Sequence, residues 1–194
     1  MIHIYFDMDG VLAKYDRNAY KEDPVTHERL FETKNKHYFR HIPADDKMTN
    51  VLFHLNDKIY KQKSGVEIKT HVISTLSKKS SIFIEQYDDK VAWLNDNVKN
   101  FPTEEFYPSL GEKRNIAILI RGKNLNTTDI LIDDYNTNLK SWIYAGGTAI
   151  KYLNGVNSAE SWHGPYIDQE MSSSEIIRML EILAKSSSTF VDKD

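Results

Sequence analysis

Short apolar runs punctuate the chain, and each stops at polar residues. Ile2 to Phe6 is a β-rich run that ends at Asp7-Met8-Asp9-Gly10, which predicts a buried strand running into an acidic loop. Similar runs follow: Ile68 to Ile73 ends at Ser74-Thr75, Ile116 to Ile120 at Arg121-Gly122-Lys123, Asp129 to Ile132 at Asp133-Asp134, and Ala149 to Leu153 at Asn154-Gly155. Several are almost continuously apolar, as strands covered on both faces are.

Between the runs, apolar positions recur at helical spacing. Asn50 to Gln62 carries Val51, Leu52, Leu55 and Ile59, and Ser80 to Val98 carries Ile82, Ile84, Val91, Trp93, Leu94 and Val98. Asn138 to Ala145 holds Leu139, Trp142 and Ile143 and stops at Gly146-Gly147, a natural helix stop. A last helix opens at Ser172 with a capping box closed by Glu175. It buries Ile176, Ile177, Leu180 and Leu183, and the tail beyond Lys185 is expected to fray. Strands alternating with helices predict a Rossmann-like α/β fold, a parallel sheet with helices on both faces. Residues 14–49 break the rhythm: they are polar, rich in Tyr, Phe, Lys and His, and too long for an ordinary loop. They read as a small helical cap inserted after the first strand. The expected division is a catalytic core of residues 1–13 and 66–194, with residues 14–65 forming the cap and a connecting helix.

Composition narrows the chemistry. The chain of 194 residues has no cysteine, which excludes thiol nucleophiles, zinc–thiolate sites and disulfide scaffolds. A formal net charge of −3 gives no basic footprint for long nucleic acid. No apolar run reaches the length of a membrane helix, so a cytoplasmic protein, monomeric or homodimeric, is expected. The seven histidines show no His-x-x-x-His spacing and read as surface or hydrogen-bonded residues rather than metal ligands. What remains is oxygen and nitrogen chemistry.

In a parallel sheet, ligands bind outside the carboxyl ends of the strands. Asp7 and Asp9, Ser74 and Thr75, Arg121 and Lys123, and Asp133 and Asp134 are therefore expected on one rim. Four carboxylates so close repel one another unless a cation sits among them, and hard oxygen donors favour Mg²⁺. Gly10 supplies the backbone freedom that lets both side chains of Asp-x-Asp reach one cavity. One carboxylate is then placed to attack phosphorus and the other to move a proton.

Phe6-Asp7-Met8-Asp9-Gly10-Val11-Leu12, the Ser74 strand end, a helix-borne lysine and Leu131-Ile132-Asp133-Asp134 together resemble the four motifs of the haloacid dehalogenase-like phosphohydrolases. The motifs occur in that family's order, over roughly residues 1–13 and 66–155. The resemblance implies Mg²⁺ and phosphoryl transfer through an aspartyl-phosphate. Asp7 matches the nucleophile, and Asp9 matches the general acid/base that also gives the metal a backbone carbonyl. Ser74, with Thr75 beside it, matches the phosphate-binding hydroxyl, while Asp133 and Asp134 match the motif that completes the metal shell.

Lys90-Val91-Ala92-Trp93-Leu94 and the Arg121/Lys123 pair are similar to segments of the 5′(3′)-deoxyribonucleotidase branch. They mark Lys90 as the third-motif lysine and Lys123 as a secondary phosphate or substrate contact, with Lys113 as the alternative. Tyr15, six residues past the catalytic loop, is expected to face the pocket, and the other cap aromatics, Tyr20 among them, to form cap core. The expected activity is hydrolysis of a small phosphate monoester, a 5′-nucleotidase acting on (deoxy)ribonucleoside monophosphates. The alternatives are a phosphatase for another metabolite, such as a sugar phosphate, and a non-catalytic binding module on the same fold.

Overall fold

The computed structural model describes residues 1–33, 37–57 and 67–191. Six strands build one sheet: β1 (Ile2–Phe6), β4 (Ile68–Thr75), β5 (Phe106–Ser109), β6 (Asp129–Asp133), β7 (Thr148–Tyr152) and β8 (Tyr166–Ile167). Their order across the sheet is β5-β4-β1-β6-β7-β8, and every neighbouring pair is parallel. The chain thus builds outward from β1 on one side, then returns to build outward on the other. The resulting switch point lies at the carboxyl end of β1, where a parallel sheet opens a crevice.

Alternation along β1 divides the core. Ile2, Ile4 and Phe6 face one apolar cluster, while Tyr5 faces the other. The first cluster is covered by α2 (Asp46–Asn56), α3 (Ser80–Asn97) and α6 (Ser173–Val191). Met48, Val51, Leu52 and Leu55 of α2 and Ile176, Leu180 and Ala184 of α6 are fully buried there, each set at helical spacing. The second is covered by α4 (Lys113–Arg121) and α5 (Asn136–Tyr144), through Ala117, Leu139 and Trp142. No helix among the described residues is long and apolar enough to cross a membrane.

Between β1 and α2 lies the cap. It is mixed rather than purely helical: a two-stranded antiparallel hairpin of β2 (Glu22–Asp23) and β3 (Glu28–Arg29), a single turn of helix α1 (Leu30–Thr33), and a 3₁₀ turn at Tyr38–Arg40. Its aromatic residues pack on one another, with Tyr15 stacked on Tyr20 at 4.2 Å and Tyr20 against Phe31 at 5.0 Å. Helix α2 begins at Asp45, whose carboxylate accepts the Met48 N–H at 3.1 Å and the Tyr152 hydroxyl at 2.5 Å. It ends at Asn56, so the expected continuation through Lys58 to Gln62 lies outside the described residues.

Three local expectations change. The apolar run Ile116 to Ile120 is part of helix α4, not a strand. Five apolar residues do not separate strand from helix by period, and here parallel β5 and β6 need a crossover helix between them. Gly122, at φ 64°, closes that helix. Phe106–Ser109 is an edge strand that the sequence pattern missed, because it is short and carries Pro108. The last helix, capped through Ser172 and Glu175, continues past Lys185 to Val191 instead of fraying.

Across the sheet face under α4 runs a chain of buried polar side chains. Arg121 reaches His3 Nε2 at 2.6 Å, His3 Nδ1 meets His71 Nε2 at 2.9 Å, and His71 Nδ1 meets Glu105 at 2.7 Å. Because arginine only donates, His3 accepts at Nε2 and donates from Nδ1, and His71 does the same toward Glu105. Both rings are neutral in this arrangement. Burial, with the Arg121 charge beside His3, pulls His3 down to about 3, and burial outweighs Glu105 to bring His71 to about 4. Below about pH 6.5 the unfolded chain therefore binds more protons than the folded one, and this contribution to stability falls as the pH drops toward 4. Urea unfolding midpoints are expected to fall between about pH 7 and about pH 4.5, and to fall less in a His3→Asn/His71→Asn variant. Equal pH dependence in the two proteins would contradict this.

Candidate active site

Strand register builds the site. Phe6 pairs with Ile132, and the Asp7 N–H donates to the Ile132 carbonyl at 2.9 Å, so Asp7 and Asp133 leave the sheet side by side. Beyond Asp7 the chain curls tightly, with the N–H groups of Leu12 and Ala13 both donating to the Met8 carbonyl. The curl passes through Gly10 at φ 86°, where a Cβ would stand 2.3 Å from Asp134 Oδ2. Only glycine lets the first-strand loop lie against Asp134.

Two buried lysines divide the carboxylates. Lys113, at the start of α4, lies 2.7 Å from Asp7 Oδ2 and 2.7 Å from Asp133 Oδ2. Burial alone would lower its pKa, but Asp133 and Asp7 on either side hold it above the usual lysine range. Lys90, on α3, donates to Asp9 Oδ2 at 2.5 Å, to Ser74 Oγ at 2.7 Å and to the Thr75 carbonyl at 3.4 Å. Phe39 of the cap lies over the same ammonium, 4.1 Å from ring centroid to Nζ. The second oxygen of Asp9, Oδ1, is buried and has no hydrogen-bond partner among the described residues.

Asp134 is fixed from three directions. Its Oδ2 accepts from Asn154 Nδ2 at 2.5 Å and Asn157 Nδ2 at 2.7 Å, while its carbonyl accepts from buried Lys151 at 2.7 Å. Burial and the charge of Asp133 push Asp134 up to about 6 against the pull of Asn157, Lys113 and Asn154. Burial also pushes Asp7 well above the usual carboxylate range, Lys113 opposing and the three nearby aspartates adding to the shift. Asp133 accepts further from Asn138 Nδ2 and the Tyr135 N–H. Asp7, Asp133 and Asp134 offer oxygens all within 4.8 Å of one another, a hard donor set that suits Mg²⁺. The Asp9 side chain stands outside that trio, on Lys90.

A cavity of about 660 Å³ opens above these groups, within the range of small-molecule sites. Asp7, Asp9, Thr75, Gly111, Asp134 and Asn138 line its floor, and Tyr15, Tyr20, Arg29, Phe31 and Phe39 of the cap its other wall. The structure thus gathers Asp7, Asp9, Ser74, Thr75, Lys90, Asp133, Asp134 and Tyr15 in one place. It does not bring Lys123 there. Lys123 stands exposed beyond the C-terminus of α4, near Asp129 at the start of β6 and hence at the opposite end of the sheet. Arg121 is likewise remote, paired with Asp129 at 2.8 Å. The misplacement follows from reading α4 as a strand: a helix there delivers its first residue, Lys113, to the rim, and its last residues to the far end. The sequence pattern does not mark Arg29, Asn154 or Asn157 as site residues. Tyr20 packs in the cap core as expected and also lines the cavity, and tertiary packing brings Asn154 and Asn157 to Asp134.

Neither a protein-family model nor a curated protein matches the sequence. Among solved structures, the chain is similar to the D,D-heptose 1,7-bisphosphate phosphatase of B. bronchiseptica, determined in complex with magnesium and phosphate. The TM-score is 0.58 at 10% identity, over 93% of this chain and 98% of that one. A hypothetical protein from Xanthomonas campestris is matched more loosely, with a TM-score of 0.45 at 12% identity over 99% and 85% of the two chains. The first likeness supports the fold that the strand order shows, a Rossmann-like α/β sheet.

Gly10→Ala is expected to displace Asp134 from the trio while leaving the apolar core intact. The Mg²⁺ concentration needed to raise the melting temperature should increase at least roughly ten-fold, with cooperative unfolding retained. Unchanged Mg²⁺ dependence would show that the close approach is immaterial.

Proposed function

We propose that this protein is a Mg²⁺-dependent phosphomonoester hydrolase, with Asp7 as nucleophile and Asp9 as general acid/base. The observation that carries the reading is the unequal treatment of the two loop aspartates. Asp7 is held among Lys113, Asp133 and Asp134, whereas Asp9 is gripped by Lys90 at one oxygen and leaves the other buried with no partner among the described residues. The likeness in fold to a phosphatase solved with magnesium and phosphate supports the same reading.

Asp7, Asp133 and Asp134, with the Asp9 backbone carbonyl, would hold the cation, whose positive charge would offset that of the nucleophile and the phosphate. The Asp7 carboxylate forms a bond to phosphorus as the ester oxygen departs. Asp9 gives that oxygen a proton from Oδ1, since Lys90 occupies Oδ2. Water then attacks the aspartyl-phosphate, Asp9 recovers a proton from it, and Asp7 is released with inorganic phosphate. Lys113 keeps Asp7 oriented and balances the charge of Asp133. Ser74 and Thr75 offer a hydroxyl and a strand-end backbone to the phosphate oxygens, and the cap excludes bulk water.

For the leaving group we favour a nucleoside. The resemblance of Lys90-Val-Ala-Trp-Leu to the deoxyribonucleotidase segment and the aromatic cap wall of Tyr15, Tyr20 and Phe31 both support it. A Mg²⁺-dependent phosphate-release screen over nucleoside monophosphates and sugar phosphates tests both levels. Hydrolysis of sugar phosphates alone would overturn the nucleotide assignment, and no release from any ester would overturn the phosphatase.

Asp7→Asn is expected to abolish turnover. Asp9→Asn should lower it roughly 10²- to 10⁴-fold and, with hydrolysis slowed, leave the intact protein heavier by one phosphoryl group. Full activity in Asp7→Asn would place the chemistry elsewhere.

A further inference from the structure

The cap contributes one cation to the cavity that the chemistry above does not use. Arg29, at the end of β3, lines the cavity with its guanidinium carbon 5.8 Å from the centre of the Tyr20 ring and 5.9 Å from that of Phe31. Glu22 lies opposite it in the hairpin register, yet no carboxylate closes on the guanidinium among the described residues. Its neighbour Glu28 pairs with Lys79 across the seam between cap and core. That ion pair brings Arg29 and Lys78 to the same seam: each is adjacent in sequence to one of its members, and both line the cavity. Lys78 also has no ion-pair partner among the described residues. Glu32 is the only other acid lining the cavity among the described residues, so the aromatic cap wall with Lys78 carries a positive excess, while Asp7, Asp9 and Asp134 make the floor acidic.

An arginine laid over two rings is held in a defined plane, and its donors remain free for a ligand. Tyr20, stacked on Tyr15 and set against Phe31, makes no hydrogen bond among the described residues, so its hydroxyl is a second free donor in the same wall. Guanidinium and ammonium groups on opposite banks of a cavity suit an anionic group, and most specifically phosphate or carboxylate. We infer that the substrate carries a second anionic group on its leaving portion, bound by Arg29 of the cap with Lys78 of the core, at the end of the cavity away from Asp7. This rests on the phosphatase reading and narrows it from any monoester to phosphate esters of already anionic molecules. The source of the second charge is either a nucleoside or a sugar bearing another phosphate.

Matched pairs separate these outcomes: adenosine 5′-monophosphate against adenosine 3′,5′-bisphosphate, and fructose 6-phosphate against fructose 1,6-bisphosphate. In the wild-type protein the bisphosphate of at least one pair is expected to show kcat/KM roughly ten- to hundred-fold above its monophosphate, the range of a charge-assisted contact. In Arg29→Gln the ratio should fall to near one, and Arg29→Lys should restore part of it. The pair that responds identifies the scaffold. Dissociation constants for the same four compounds with the Asp7→Asn protein and Mg²⁺ read the preference without turnover. A preference in binding with no hydrolysis by the wild type would overturn the phosphatase reading while sustaining the anion site. Equal binding of both members of each pair, or a preference that survives Arg29→Gln, would overturn the anion site.

Discussion

Four carboxylates at the carboxyl ends of two adjacent parallel strands form the constraint on which the rest of this molecule depends. Asp7 and Asp133 are neighbours by register, Asp134 follows immediately, and Asp9 returns on a tight curl. Three of the four side chains are almost fully buried, where uncompensated charge is costly. The structure answers with two lysines from two helices, each shared: Lys113 between Asp7 and Asp133, Lys90 between Asp9 and Ser74. The positions of α3 and α4 around the sheet follow from this need as much as from their apolar faces. Sharing also leaves the trio of Asp7, Asp133 and Asp134 one ammonium group for three carboxylates, a deficit that a divalent cation relieves.

The same constraint explains the small residues and amides nearby. Gly10 is the only residue type that fits against Asp134, and Asn154, Asn157 and Asn138 supply neutral donors where further lysines would not fit. Lys151, wholly buried, spends its charge on the Asp134 carbonyl and the Asn136 side chain, so it fixes the turn rather than the carboxylates. Burial lowers its pKa, with Asp134 and Asp133 opposing. Order at the rim is thus assembled from several weak, directional contacts around a few strong ones.

Much of this was legible along the chain, and the reason is locality. Asp7, Asp9, Ser74, Asp133 and Asp134 sit at the ends of apolar strands, so their neighbours in sequence announce their place in space. The alternation of strands and helices announced the parallel sheet in the same way. What could not be read depended on tertiary contact. Ile116 to Ile120 carries no period that distinguishes strand from helix, and a strand there would set Lys123 on the rim, whereas the helix delivers Lys113. Tyr20 and Arg29 are unremarkable in a polar cap sequence, and their place in the cavity wall emerges only when the cap folds onto the core. Phe106–Ser109, with a proline in its middle, gives a pattern no stronger than a loop.

The Glu28–Lys79 ion pair has a consequence for how the cap behaves in its surroundings. At that corner the hairpin is tied to the core by opposite charges near solvent rather than by apolar packing, and such attraction weakens as dissolved ions screen it. On the far side, Phe39 over Lys90 and the Trp93 indole donating to the Ile42 carbonyl at 2.6 Å are sheltered from those ions. The cap therefore meets the core partly through charges whose attraction the medium sets, Glu28–Lys79 here and Arg40–Asp96 beside Phe39, and partly through buried contacts that dissolved ions do not reach.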